Sequence, residues 1–296
     1  MRDRKKEWFY RLLVLPGLLN VILFCYVPMF GIIIAFQRFM PARGIFGSPF
    51  VGLANFQYMF ELPNVGQVFF NTVLIACSKI ILTTVVSIAF ALLLSEATSA
   101  WFKRIVQTFV YLPHFLSWVI LACIFTQMLS LNGIVNQLIK NLGMEPIQFL
   151  INGTWMRIII IITDVWQDFG YGSIIYLAAI LAINPNLYEA AIIDGANRLQ
   201  RIFYITIPCI APTIVLLATL KLGQVLNAGF GQILNMYNPL VYSSIDIIDT
   251  YVYRIGIINM QYGFSTAVGL LKSVIGFVLI VLSHYLAGRF ANYRIF

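Results

Sequence analysis

Few residues in this chain have the type and spacing to do chemistry. The two histidines, His114 and His284, are far apart, and Cys25, Cys77, Cys123 and Cys209 fall in or beside apolar runs at no metal-ligand spacing. No Walker A lysine motif, GxSxG or HExxH occurs, so the sequence contains nothing that hydrolyses ATP. Any energy must come from a gradient or from a partner. Asp246 and Asp249 are the only acidic pair placed where an enzyme acting on lipid-linked sugar would need one. Their helical phasing accounts for them without chemistry.

The charges that need explaining are Lys79, Asp164, Asp168, Lys221 and Lys272, which lie inside long apolar runs. Such charges are costly and usually face a bundle interior or a water-filled cavity. The stretch "DVWQDFGYGSIIY" sets Asp164, Gln167 and Asp168 among Trp166, Phe169, Tyr171 and Tyr176. Sugars present hydroxyl rims and apolar C–H faces, so hydrogen-bonding groups beside aromatic planes suit them. Gln224, Asn227, Gln232 and Asn235 add polar candidates further along. Two readings stay open at this point: internal Lys–Asp pairing, or a polar path for a sugar. Three lysines outnumber the two aspartates, which leaves an ammonium for an acidic sugar. Lys79, by its depth, is the expected contact.

The elements that must position these residues are membrane helices. Of 296 residues 60% are hydrophobic and 10% charged, against about 25% charged in soluble proteins. Six runs are long enough to cross about 30 Å of hydrocarbon: 12–36, 68–95, 105–129, 155–183, 207–227 and 268–290. The first follows a basic head like that of a signal peptide, but it runs on through Phe36 with no small-x-small site, and is read as a retained span.

The net charge of +8 sits in loops beside these runs, which is a topology signal and argues against nucleic acid as a partner. With the N-terminus inside, the inner segments hold Arg2, Arg4, Lys5, Lys6, Arg11, Lys103, Arg104, Arg198, Arg201, Arg289 and Arg294. The outer ones hold Arg38, Arg43, Lys140, Arg157 and Arg254. The excess selects N-in, C-in. The outer loop 228–267 is expected to carry an amphipathic helix over 246–259, with Asp246, Asp249, Thr250, Tyr253 and Arg254 on its polar face.

The inner segment 184–206 reads as two short helices. Asn184 and Pro185 suit a helix start, Gly195 allows the positive φ that ends it, and "NRLQRIFYI" leads back to the membrane, where Pro208 restarts a span. A rigid two-faced helix at the cytoplasmic surface suits docking in a groove of another protein; a solvated connector is the bland alternative.

"EAAIIDGANRLQRIFYITIPCIAP" resembles the EAA motif of the permease subunits of binding-protein-dependent ABC importers. Glu189, Ala190, Ala191, Asp194, Gly195, Ala196, Phe203, Ile205, Pro208 and Pro212 stand at the matching positions. "PGLLNVILFCYVPMFGIIIAF", "GLANFQYMF", "NPLVYSSIDIIDTYVYRIGI", "FSTAVGLLKSVIGFVLI" and the ending "NYRIF" extend the likeness to the sugar branch and its LplB-type polysaccharide permeases.

The resemblance implies a single all-α membrane domain over 1–296, with six transmembrane helices in the type I ABC importer permease fold. It implies the multi-pass permease of an ATP-driven oligosaccharide importer in the bacterial cytoplasmic membrane. Its partners would be a second homologous permease, two ATP-binding-cassette ATPases and an extracytoplasmic solute-binding protein. No cofactor would be bound by this chain, since ATP and magnesium belong to the ATPases. A non-sugar solute is the alternative. Residues 189–196 would form the coupling helix and its turn, with Glu189 either pairing with a base of the ATPase or capping its own helix.

Overall fold

The computed structural model describes residues 4–62 and 64–290. Arg2, Arg294 and the ending 292–296 lie outside the described residues. No strand forms among the described residues; one isolated bridge joins Gln37 and Phe50. The helices that matter below are α1 (Arg4–Val21), α2 (Val65–Glu96), α3 (Ala100–Tyr111), α4 (Trp118–Leu129), α5 (Gly153–Leu181), α6 (Pro185–Ile193), α7 (Arg198–Arg201), α8 (Ile207–Leu222), α9 (Phe230–Met236), α10 (Ile248–Val252) and α11 (Tyr262–Phe290).

Six stretches are long and apolar enough to cross a membrane: Trp8–Phe36, Val65–Glu96, Trp118–Asn141, Gly153–Leu181, Arg198–Leu222 and Tyr262–Ser283. Polar or helix-breaking residues set where they begin and bend. Ser99, Ser117, Asn152, Asn184 and Asn197 each cap the helix that follows, accepting a hydrogen bond from a backbone N–H that the helix cannot satisfy itself.

Two spans carry a proline without breaking. Before Pro28 the chain makes a π-turn over Ile22–Tyr26, and before Pro208 it makes another over Ile202–Thr206. In each the following N–H reaches back five residues, Val27 to Ile22 and Ile207 to Ile202. This wider turn absorbs the register change that the missing proline N–H and the ring require. The expectation that Pro208 restarts a span is therefore corrected: α7, the π-turn and α8 run on from Arg198 to Leu222.

The third span also differs from its expected 105–129. Pro113 drives a 3₁₀ turn over Leu112–Phe115, Leu116 is extended, and Ser117 caps a new helix. Gln167 of α5 holds that break by donating Nε2 to the Leu116 carbonyl at 3.0 Å. The 246–259 helix is shorter than expected: α10 gives way to a π-turn over Tyr253–Ile258, and Asp246 lies before it in extended backbone. Of its polar positions Asp246 and Thr250 are buried, and Asp249, Tyr253 and Arg254 half-buried. Thr250 is fully enclosed and its hydroxyl donates to Asp246 Oδ1 at 2.6 Å, while accepting from the Ile247 N–H at 3.0 Å.

By its contacts the chain comprises two compact units. One comprises residues 1–65 and 252–273, the other 66–251 and 274–296. In the first, the stretch from Trp8 to Phe30 exposes nearly every large apolar side chain, as a helix apolar all round does when hydrocarbon is its solvent. Its loop after Phe36 is closed by hydrogen bonds from Arg38 N to Pro49 O (3.0 Å) and Val51 N to Phe36 O (2.8 Å).

In the second unit, Ala91 and Leu94 of α2 pack with Tyr176, Leu177 and Ile180 of α5 and Ile210 of α8. Asn71 is fully buried: it donates to the Ser243 carbonyl (3.0 Å) and accepts from Gln67 (3.0 Å) and Arg157 (3.2 Å). Arg157 Nε in turn donates to the Ser244 carbonyl (3.0 Å), so an arginine counted as an outer-loop charge serves as an internal clamp.

Helix contacts here depend on small residues, as in other membrane bundles. A Cβ on Gly170 would run into the backbone carbonyl and side chain of Val110 on α3, whereas one on Gly66 meets nothing within 4 Å. Overpacking such a contact costs about 1–3 kcal/mol. Gly170→Ala should therefore lower the unfolding midpoint of the detergent-solubilised protein, with Gly66→Ala leaving it unchanged; equal midpoints for the two would remove the close-contact argument.

Candidate functional site

Lys79 and Asp164 lie near the middle of α2 and α5, and the structure brings them together. Lys79 Nζ donates to Asp164 Oδ1 at 2.9 Å, to the Ala228 carbonyl at 2.9 Å and to Gln232 Oε1 of α9. Gln232, fully buried, spends its own amide donors on the Ile160 carbonyl and the Thr163 hydroxyl, both at 2.8 Å. An ammonium has three N–H bonds. All three are used inside the protein.

The backbone makes room for this ammonium at Gly229, whose φ is +96°. A Cβ there would stand 2.6 Å from Lys79 Nζ, so both the conformation and the space require glycine. Nothing in the sequence alone marked Gly229 or the Ala228 carbonyl; the ligands of a buried lysine can be backbone atoms, which carry no sequence signal.

A cavity of about 180 Å³ opens beside the pair. Its walls include Lys79, Thr83, Asp164, Asp168, Lys221, Gln224 and Asn227. Asp168 is held by His114, with Nδ1 to Oδ1 at 3.2 Å, and the His114 ring stacks on Tyr171 at 4.0 Å. His114 carried no signal as a carboxylate partner because its contact is made across elements. Lys221 sits in the last turn of α8, half-buried, where its charge suits the helix dipole. Among the described residues its ammonium makes no hydrogen bond or ion pair.

The other sequence candidates lie elsewhere. Gln167 is tied to Leu116, and Trp166 packs edge-on against Phe125 at 5.6 Å. Gln232 is inside the Lys79 network rather than on a cavity wall. Lys272 belongs to the other compact unit and lines none of this site. The expectation that Lys79 is the free ammonium is corrected: the interior saturates it, and Lys221 is the lysine left over at the cavity.

The second constellation is the segment from Asn184 to Thr206. Asn184 accepts from the Asn186 N–H at 3.0 Å, with Pro185 at the first helical position. Glu189 is therefore not the cap of α6; it lies mid-helix, exposed, without a partner among the described residues. At the far end Ala196 N–H donates to Ala191 O (2.8 Å) and Gly195 N–H to Ile192 O (3.1 Å), with Gly195 at φ +78°. That is a Schellman stop, which needs a left-handed residue. Asp194 N–H also returns to Ala190 O at 3.0 Å.

Asn197 and Gln200 then form a capping box that starts α7, and the Tyr188 hydroxyl pairs with Thr206 at 2.9 Å. The result is a braced elbow on which Leu187, Ile192 and Ile193 of α6, then Leu199, Phe203 and Tyr204, are exposed. A cavity of about 380 Å³ in its crook is walled by Ala191, Asp194, Gly195, Ala196, Arg201 and Tyr204.

Comparison with known proteins agrees with this architecture. A family model described as binding-protein-dependent transport system inner membrane component matches residues 83–292. The polygalacturonan/rhamnogalacturonan transport system permease protein YteP of Bacillus subtilis (strain 168) is 42% identical over 293 residues, covering 99% of this chain and 91% of the relative. Protein LplB of the same organism is 40% identical over 294 residues, 99% of this chain and 92% of the relative. A chain in the crystal structure of a bacterial alginate ABC transporter, in complex with its alginate pentasaccharide-bound periplasmic protein, superposes with a TM-score of 0.91 at 34% identity, covering 99% of each chain. The protein is a multi-pass membrane protein and belongs to the family of binding-protein-dependent transport system inner membrane components.

Proposed function

We propose that this chain is the permease subunit of an ATP-driven importer of oligosaccharides, in the bacterial cytoplasmic membrane, and that its path is built for acidic fragments. The observation that carries the substrate reading is the half-buried Lys221 on the wall of a polar cavity whose other lysine is already saturated. A half-buried ammonium with no protein partner keeps water on its N–H groups until an anion takes its place. Gln224 and Asn227, exposed on the same wall, supply amides for sugar hydroxyls. The names of the relatives, which concern polygalacturonan, rhamnogalacturonan and alginate, support the same class.

The cavity is smaller than the roughly 300–1,000 Å³ usual for a ligand site, which fits half of a path completed by a second, homologous permease. In this reading the elbow of residues 184–206 faces the cytoplasm, with both termini inside. Its exposed apolar side chains and the unpaired Glu189 dock in a cleft of an ATPase subunit, one per permease, and Glu189 meets a basic residue there. ATP hydrolysis belongs to those partners, and this chain binds no cofactor. Closure of the two ATPases swings the permeases to face outward, where a solute-binding protein delivers the sugar. Several exposed large apolar side chains on an elbow held rigid by a capping box and a Schellman stop suit such docking better than they suit a solvated connector.

Lys221→Met, reconstituted in proteoliposomes with its partners and receptor, should lose tenfold or more of transport of trigalacturonate. That follows from one charge-assisted hydrogen bond of about 1.5–3 kcal/mol. The fully methyl-esterified analogue should be carried as by the unaltered protein. Equal loss or equal retention for the two sugars would sink the charge preference while leaving the permease reading intact.

The coupling reading has its own test. Gly195 has open space around it, so only backbone strain separates substitutions there. Left-handed φ costs a β-branched residue more than it costs Asn. Gly195→Val should insert in the membrane but support little uptake and little receptor-stimulated ATP hydrolysis in the assembled complex, and Gly195→Asn should keep most of both. Full activity in the Val variant would refute the role given to the turn.

A further inference from the structure

The larger cavity of the first compact unit lies outside the path just described. About 480 Å³ is enclosed by the loop after Phe36, by the Ala54–Glu61 helix and by the start of α11. Its walls include Gln37, Arg38, Phe39, Tyr58, Gln261 and Tyr262. We propose that this cavity binds a uronate unit of an acidic saccharide, with the Arg38 guanidinium taking the carboxylate. The inference rests on the proposed function for its substrate class and for the outward orientation of the loop.

Three observations carry it. The cavity's volume falls within the roughly 300–1,000 Å³ of small-molecule sites. No acidic side chain lines it, and the Arg38 guanidinium is exposed with no hydrogen bond or ion pair among the described residues. A planar guanidinium matches a carboxylate with two parallel hydrogen bonds. Gln37 is more than nine-tenths buried and its Nε2 donates to the Ile45 carbonyl at 2.9 Å, which fixes that wall of the cavity.

The walls are aromatic and preorganised. Phe39 meets Tyr262 edge-on at 6.0 Å, and Tyr58 meets Phe264 in the same way at 5.8 Å. The hydroxyls of Tyr58 and Tyr262 have no hydrogen-bond partner among the described residues. Such surfaces suit the apolar face and hydroxyl rim of a pyranose. The Asn55 amide donates to the carbonyls of Ala35 (2.8 Å) and Gln37 (3.0 Å), so the two sides of the cavity are fixed before any ligand arrives. The turn that presents Gln261 and Tyr262 holds Met260 at φ +59°, a conformation that a residue with a Cβ avoids. Retained strain of this kind clusters at ligand sites.

The experiment uses the full chain in nanodiscs and digalacturonate as probe, with its dimethyl ester as the neutral counterpart, and reads binding by saturation-transfer NMR and calorimetry. Digalacturonate should bind, tenfold or more weakly in Arg38→Met, and with unchanged affinity in Arg43→Met, an exposed arginine of the same loop that lines no part of the cavity; the ester should bind the unaltered protein and Arg38→Met alike. Arg38→Lys, which keeps the charge without the planar fork, should recover only part of the loss. No binding, binding indifferent to Arg38, or an Arg38 effect seen only on association of the receptor protein would overturn the proposal. Uptake in proteoliposomes separates the two readings. Transport of digalacturonate with no Arg38-dependent binding removes this site and leaves the importer, and Arg38-dependent binding without transport does the reverse.

Discussion

A lysine at the centre of a membrane bundle is tolerable only if every N–H finds an acceptor, and much of the larger unit is arranged around that demand. Lys79 draws on three separate pieces of chain: Asp164 from α5, the Ala228 carbonyl, and Gln232 from α9. Gln232 then ties α9 back to α5 through Ile160 and Thr163. Removing one member of a buried pair typically costs about 3–5 kcal/mol, because the other charge stays behind. Such a network therefore fixes which residues of the 223–232 segment face inward, even where the chain is not helical. Gly229 follows as a consequence: the segment must pass within contact distance of the ammonium with its backbone in the left-handed region.

The same rule, that hydrocarbon supplies no hydrogen bonds, explains the punctuation of the spans. Pro28 and Pro208, each of which would orphan a carbonyl in a straight helix, are preceded by π-turns at Ile22–Tyr26 and Ile202–Thr206. Where the chain does break, at Leu112–Leu116, a side chain from another helix takes the freed carbonyl. Asn71 and Arg157 do likewise for the 243–246 segment. The long polar side chains Asn71, Arg157 and Gln167 thus serve backbone of other segments, while Ser and Thr hydroxyls such as those of Thr72, Thr163 and Thr219 return to carbonyls of their own helix.

That distinction sets how much could be read beforehand. The six apolar runs and the elbow were legible because hydropathy, caps and Gly195 act locally. Asn184, Pro185 and Gly195 do what their types suggest. The break at Pro113 and the continuity through Pro208 were not legible, since both prolines look alike and only the contacts around them differ. The amphipathic reading of 246–259 failed in a related way: Asp246 and Thr250 satisfy one another, so a polar stripe could be turned inward. Glu189 as its own helix cap gave way to Asn184, five residues earlier, whose geometry fits. Within the site, the residue types were legible and the pairings were not. Gln167 and Gln232 are both glutamines in apolar surroundings, yet each is tied to the protein, Gln167 through Leu116 and Gln232 through Lys79, Ile160 and Thr163.

Depth in a span is therefore a poor guide to which charge meets a solute. The deeper a cation lies, the more completely the fold must satisfy it, and the less of it remains to bind anything that comes and goes. Lys79 is the extreme case, and its saturation makes it a structural post. The cations still open to a ligand are those at intermediate or full exposure beside a cavity: Lys221, at the end of a helix whose dipole offsets part of its isolation, and Arg38, on a loop held shut by backbone hydrogen bonds. Each can exchange water for a carboxylate at modest cost, since neither is dehydrated to begin with. A solute that must be released as readily as it is bound is better served by such half-wet charges than by a buried one, because strong, dry ion pairs hold what they catch.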